Sequence, residues 1–160
     1  LRYPDRRSSW SRRELRLRNL EQLGVMMANS FTKGGFDLGI VTTNGDEMLK
    51  FYRDVIGLEF ETTLNMEALG IAAMHRVWAN ESLLKIVVPT KEVAPGTSGG
   101  MMGASGMRYF TLSVPNVQSA LDACVAADTP IIWDRREVRP GVVVGMVEDP
   151  DGNWVEFIGE

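Results

Sequence analysis

The chain has 160 residues, 44% of them hydrophobic and 24% charged, the composition of one ordinary globular domain long enough to bury a large core without staples. Its net charge of -4 argues against a nucleic-acid partner, and no apolar run approaches the ~20 residues of a membrane span. The single cysteine, Cys124, excludes an intrachain disulfide and suits a reducing, cytoplasmic compartment, while the single histidine, His75, excludes any metal site built on two His ligands from one copy of the chain.

Residues 1–25 carry seven Arg against Asp5, Glu14 and Glu21, which is +4, whereas the remainder carries ten basic and eighteen acidic residues, which is -8. The segment 1–35 reads as a basic N-terminal arm or helix, with Ser11-Arg-Arg-Glu14 as a capping box and Gly24 as the stop. From residue 36 the pattern changes. Phe36, Leu38 and Ile40 alternate with Asp37, Gly39 and Val41 as in a half-buried strand. Asn44 is placed to cap a helix with Glu47 as its capping-box partner. Met48, Phe51, Tyr52 and Val55 then give that helix an apolar stripe, and Gly57 ends it. Extended runs are predicted over 58–63, 71–79 and 82–89, so residues 36–94 read as one βαβββ module.

Residues 95–107 are rich in Gly and Met and read as a linker. Residues 108–160 then repeat the order: a strand over 109–114, a helix with Val117, Ala120, Leu121, Cys124 and Val125 on one face, and extended runs over 130–135, 142–148 and 153–158. Cys124 lies on the apolar stripe, which makes it a packing residue. Asp149-Pro-Asp-Gly152 is a strong turn signal. Asp37 to Asn44 and Tyr109 to Asn116 are the same strand-to-cap phrase, 72 positions apart. Such a duplication marks the seam between the copies as the place for a site.

Alternation assigns faces. If Phe36, Leu38, Ile40, Leu84, Ile86, Phe110, Leu112, Val114, Val155 and Phe157 face the helices, then Asp37, Lys85, Tyr109 and Glu156 point the other way. Gly39, Val41, Leu83, Val87, Thr111, Trp154 and Ile158 share that second face. It is too apolar for a plain wet surface and suits a small-molecule pocket. His75 and Arg76 have opposite parity, so at most one of them lines it.

Two segments carry a family resemblance: Phe51-Tyr-Arg-Asp-Val-Ile-Gly-Leu58 at the first helix end and Asp149-Pro-Asp-Gly-Asn-Trp-Val-Glu156 at the last hairpin. With the duplication, they make the chain from about residue 36 resemble the vicinal oxygen chelate superfamily, which includes glyoxalase I, bleomycin-resistance proteins and extradiol dioxygenases. The resemblance implies an α+β fold of two βαβββ modules whose mixed sheets curl into a cup, often in a homodimer. In metal-using relatives the cup holds a divalent ion on His, Glu, His and Glu. The corresponding positions here are Asp37, Lys85, Tyr109 and Glu156, of which only Glu156 keeps the family's ligand. The expected site therefore uses no cofactor, with a divalent metal on Asp37 and Glu156 as the alternative.

What remains is acid–base chemistry. A carboxylate of Asp37 or Glu156 would abstract a proton next to a carbonyl, and Lys85 or Tyr109 would stabilise the enolate. His75, Thr111 and Trp154 are the expected substrate contacts. The competing expectation is that an Asp37–Lys85 ion pair and a Tyr109–Glu156 hydrogen bond merely satisfy each other. The rival function is a binding protein that sequesters an aromatic or cationic compound, and a metal-dependent lyase or isomerase is third.

Overall fold

The structure is a computed structural model that describes residues 32–97 and 99–160; the expected capping box at Ser11 and helix to Gly24 lie outside them. Residues 34–160 form one compact unit containing two four-stranded sheets of identical topology. The first module contributes β1 (Asp37–Val41), β2 (Glu59–Met66), β3 (Ile71–Ala79) and β4 (Ser82–Pro89), ordered β1-β4-β3-β2. The second contributes β5 (Tyr109–Ser113), β6 (Ile131–Arg139), β7 (Val142–Glu148) and β8 (Trp154–Gly159), ordered β5-β8-β7-β6. In each sheet the first strand runs parallel to the last, and the other pairs are antiparallel. This is the duplicated βαβββ architecture that the 72-residue repeat predicts. The outer strands β2 and β6 carry register shifts, and such bulges bend and curl the edge of a sheet.

Each module has its helix between its first two strands. Helix α1 (Gly45–Lys50) widens into a π turn over Phe51–Val55, and α2 spans Val117–Ala126. The two caps differ. The Asn116 side chain accepts from the Ser119 amide at 2.9 Å, whereas Asn44 makes no side-chain cap. Its own amide donates instead to Thr42 Oγ1 at 2.8 Å, so the expected Asn44–Glu47 capping box does not form. The helical stripes pack as expected except at Val125, which is exposed: Met48, Phe51, Tyr52, Val117, Leu121 and Cys124 join Val77, Leu84, Ile86, Val143, Val147, Val155 and Phe157 in one core drawn from both modules. Burial pushes the Cys124 thiol up to about 11, which leaves it inert as a nucleophile. Gly145 opens the β7 surface to α2, since a Cβ there would lie 2.8 Å from Leu121 Cδ1. Phe36 departs from expectation: it precedes β1 and is 84% exposed, because the strand and its helix cover begin one residue later.

The modules are also tied by polar chemistry. Tyr52 of the first helix-end segment donates to Asp149 Oδ2 of the last hairpin at 2.7 Å, and its ring lies 6.2 Å from that of Phe110. Asp149 is buried, and its other oxygen accepts from the amides of Asp151 and Asn153 at 3.0 and 2.8 Å. Asn153 Nδ2 donates to the same carboxylate. The two segments that carry the family resemblance are therefore one contact in space.

Candidate functional site

The concave faces are fixed by strand parity and confirmed by burial. Leu84, Ile86, Val155 and Phe157 pack into the helix-side core, so their neighbours Lys85 and Glu156 project to the other face. By the same parity Asp37 and Tyr109 join them. β1 and β5 are the strands at the seam, and β4 and β8 lie one strand in from it. A cavity of about 250 Å³ at the seam is lined by Gly39 and Val41 of β1 and by Arg108, Tyr109 and Trp154 of the second module. A larger one, about 680 Å³, runs between the start of β1 and the end of β5, from Phe36 to Ser113. Its one acid, Glu81, already accepts from the Gly34 amide, so it offers volume without a chemical set. Lys85 and Glu156 line neither cavity.

Within the first module the expected Asp37–Lys85 ion pair is present, with Nζ 2.8 Å from Oδ2. In the second, the donor to Glu156 is Thr111 at 2.7 Å, and not Tyr109. The parallel β5–β8 register sets Thr111 opposite Glu156 and Tyr109 opposite Trp154, which gives the short hydroxyl the shorter path. Tyr109 is 41% exposed and its hydroxyl makes no hydrogen bond among the described residues. Among the described residues Lys85 pairs with Asp37 and Glu156 with Thr111, and no hydrogen bond or ion pair joins the two sets.

His75 is not on this face. Its β3 register partner is Ile86, so the ring faces the helix side, 2.8 Å from Thr63 Oγ1 and beneath Gly45 at the start of α1. The expected placement of His75 among the concave-face contacts is therefore not met, and the residue of β3 that takes that face is Arg76, whose partner is Lys85. Burial holds the His75 pKa below its usual value, with Asp46 opposing. A base with a lowered folded pKa leaves stability intact above the unfolded value near 6.5 and removes it as pH falls toward the folded one. The protein is therefore expected to lose stability below about pH 6.5, by at most ~1.4 kcal/mol per pH unit from this group. His75→Gln should flatten that limb in chemical denaturation across pH; an unchanged limb would contradict it.

Arg76 donates through Nε to Glu61 Oε2 at 2.9 Å, and Trp78 Nε1 reaches the same oxygen at 2.6 Å. These two hydrogen bonds, Trp78's foremost, hold the Glu61 carboxyl below its usual range. On the second module Trp154 donates to Glu148 at 3.0 Å and meets Trp133 edge-on at 6.3 Å, and Arg136 lies over the Trp133 ring at 4.9 Å.

The linker takes part as well. Its turn at Gly100–Met102 lies against Trp154, and Arg108 fastens it by donating to the carbonyls of Gly100 and Thr97 at 2.8 and 3.1 Å. Gly100 has φ +60°, and a Cβ there would fall within the indole ring. Gly100→Ala is therefore expected to lift the turn from Trp154, shifting tryptophan emission and raising protease cleavage within 95–107. Wild-type emission and cleavage rates in the variant would refute the contact.

The residues do not suit the divalent metal that the family resemblance implies. An ammonium stands where a ligand would, bonded to one of the two candidate carboxylates, and a neutral phenol fills another position. Among the described residues no group of three or more His, Cys, Asp or Glu side chains is arranged to hold an ion, and no helix is long and apolar enough to cross a membrane.

Comparison with known structures places this architecture. The chain is similar to a glyoxalase family protein from Bacillus cereus (TM-score 0.71, 13% identity, covering 84% of this chain and 98% of the other). It is also similar to a lactoylglutathione lyase from Agrobacterium tumefaciens (0.56, 20%, 78% and 91%) and to a glyoxalase I mutant from Zea mays (0.64, 13%, 78% and 44%). No curated protein matches by sequence. The sequence model of one family does match, over residues 36–157. With paired βαβββ modules, a concave polar face and that match, the chain belongs to the glyoxalase/bleomycin resistance protein/dioxygenase superfamily.

Proposed function

We propose that this protein is a glyoxalase-like small-molecule enzyme of the lyase or isomerase type that abstracts a proton next to a carbonyl without a metal. The observation that carries the reading is the Glu156 carboxylate, which stands on the concave face with a single neutral donor, Thr111, at 2.7 Å. No cation neutralises it among the described residues, so it keeps proton-accepting capacity. In the proposed step Glu156 takes the proton from the carbon next to the carbonyl, and the electron pair moves onto the carbonyl oxygen. The Lys85 ammonium or the Tyr109 hydroxyl stabilises that oxyanion, and return of a proton to carbon completes the cycle. Asp37 holds the Lys85 side chain in place. The test is proton–deuterium exchange into a panel of enolisable ketones, aldehydes and oxo acids, followed by NMR in D₂O. Exchange above the buffer rate is expected for at least one of them, and its absence across the panel would refute the reading.

A binding protein for an aromatic cation is the second reading. It is favoured by one feature: Trp154 lies between Glu148, which accepts its indole N–H, and Glu156, two residues along β8. Such a protein would bind ligands but catalyse no exchange.

A further inference from the structure

The concave face of the first module carries a row of charges across all four strands. Asp37 on β1 bonds Lys85 on β4, and Arg76 on β3 bonds Glu61 on β2. The signs run minus, plus, plus, minus, and the register sets Arg76 and Lys85 directly opposite each other. Two like charges at such a cross-strand pair repel. Each is neutralised only on its outer flank, so the unpaired side of both cations faces the gap between them.

The donor inventory agrees. Among the described residues Lys85 has one acceptor, and Arg76 uses only Nε, which leaves the two terminal nitrogens of its fork without a protein partner. Both side chains are partly withdrawn from water, at 22% exposure for Arg76 and 30% for Lys85, so solvent screens them less than surface cations. Glu61 is held ionised by two donors and cannot swing across to fill the gap without abandoning Trp78. Trp78 lies 5.9 Å from the Arg76 guanidinium carbon and steadies it from the side. The second module has no counterpart: the position matching Lys85 is Glu156, and its register partner on β7 is Met146. The adjacent pair of cations therefore belongs to the first half of the cup alone.

We propose that the ligand of the cup carries an oxyanionic group, a carboxylate or a phosphate, which seats between Lys85 and Arg76. The proposal rests on the reading of the concave face as a small-molecule site and narrows the ligand class. An oxyanion in that gap would relieve the repulsion of the pair and accept from the idle donors of both. It would also leave the rest of a short ligand toward the seam, where Tyr109 and Trp154 stand.

The test is calorimetric titration with matched probes that differ only in the head group: phenylacetate, phenyl phosphate, phenylacetamide and 2-phenylethylammonium. At low salt one or both anions should bind at least tenfold more tightly than the amide, and the advantage should shrink as NaCl is raised. Whichever anion binds more tightly identifies the seat as one for carboxylate or for phosphate. Arg76→Gln should cut the preference over the amide severalfold, with Lys85 left as the one cation of the seat. Arg76→Lys, which keeps the charge beside Glu61 but loses the fork, should retain part of it. The wild-type series stands alone if Arg76→Gln fails to fold. Equal binding of amide and anions, preference for the ammonium, or no anion binding up to ~10 mM would each overturn the proposal. Proton transfer is judged separately. Wild-type protein that exchanges neutral ketones yet binds no anion keeps the enzyme reading and overturns the seat, whereas anion binding without any exchange keeps the seat and overturns the enzyme.

Discussion

Replacing Glu156 with Gln is expected to abolish proton exchange on any carbonyl compound that the wild type turns over, lowering the rate by ~10²–10⁴-fold. The amide keeps the shape of the side chain and can still accept from Thr111, the one hydrogen bond the carboxylate makes among the described residues. It cannot take a proton. Ligand affinity should therefore stay within about threefold, ~0.7 kcal/mol. A loss that falls on KM with kcat intact would assign Glu156 to binding alone. Asp37→Asn provides the contrast. Asp37 already bonds Lys85 at 2.8 Å, so its loss should weaken the hold on the ammonium and lower the rate less. If neither Glu156→Gln nor Asp37→Asn impairs exchange, the proton-transfer mechanism is wrong.

The second large effect is on stability. Tyr52→Phe removes the hydroxyl that donates to the buried Asp149 carboxylate at 2.7 Å. A hydrogen bond to a charged group contributes ~1.5–3 kcal/mol, and for a chain of this size that is a fall in Tm of roughly 5–10 °C. The effect is direct because the bond crosses between the modules, far from any solvent that could replace the donor.

The pH dependence carries a second signature. Burial first, and then the Asp149 charge and hydrogen bond, raise the Tyr52 pKa well above its usual value. An acid whose folded pKa is raised gives stability that is complete below the unfolded value and is lost as pH rises toward the folded one. The wild type should therefore weaken above about pH 10, and Tyr52→Phe should lack that limb. Burial also raises the Asp149 carboxyl, against the hydrogen bonds of Asn153 and Tyr52. By the same sign rule its charge costs stability at neutral pH. A melting temperature unchanged by Tyr52→Phe, together with an unchanged alkaline limb, would show that the contact between modules is energetically idle.

Much of this molecule is legible in the order of its residues. The bounds of β3, β4 and β7 coincide with the predicted runs because turn residues close each of them at both ends. The faces of Asp37, Lys85, Tyr109 and Glu156 follow from alternation, which a strand cannot evade without a bulge. β6 runs on to Arg139, four residues past its predicted end, because its charged half is exposed and gives no apolar alternation to count. The Arg76 fork was visible only as one of two opposite parities, and the β3–β4 register chose it over His75.

By itself the sequence determined the duplication, from a phrase that recurs 72 positions on, and the α+β class, the helix stripes, the buried Cys124 and the turn at Asp149, which rest on spacing within a few residues. It also ruled out, by count alone, a two-histidine metal site within one copy of the chain. Only the tertiary structure decided that Thr111 rather than Tyr109 serves Glu156, that His75 faces the helices, that Tyr52 reaches Asp149, and that the Gly100 turn covers Trp154. Those contacts join residues 45, 97 and 54 positions apart in the first, third and fourth cases. Local propensity carries no record of such pairings, because strand register and loop docking are set by the packing of whole modules and not by neighbours along the chain.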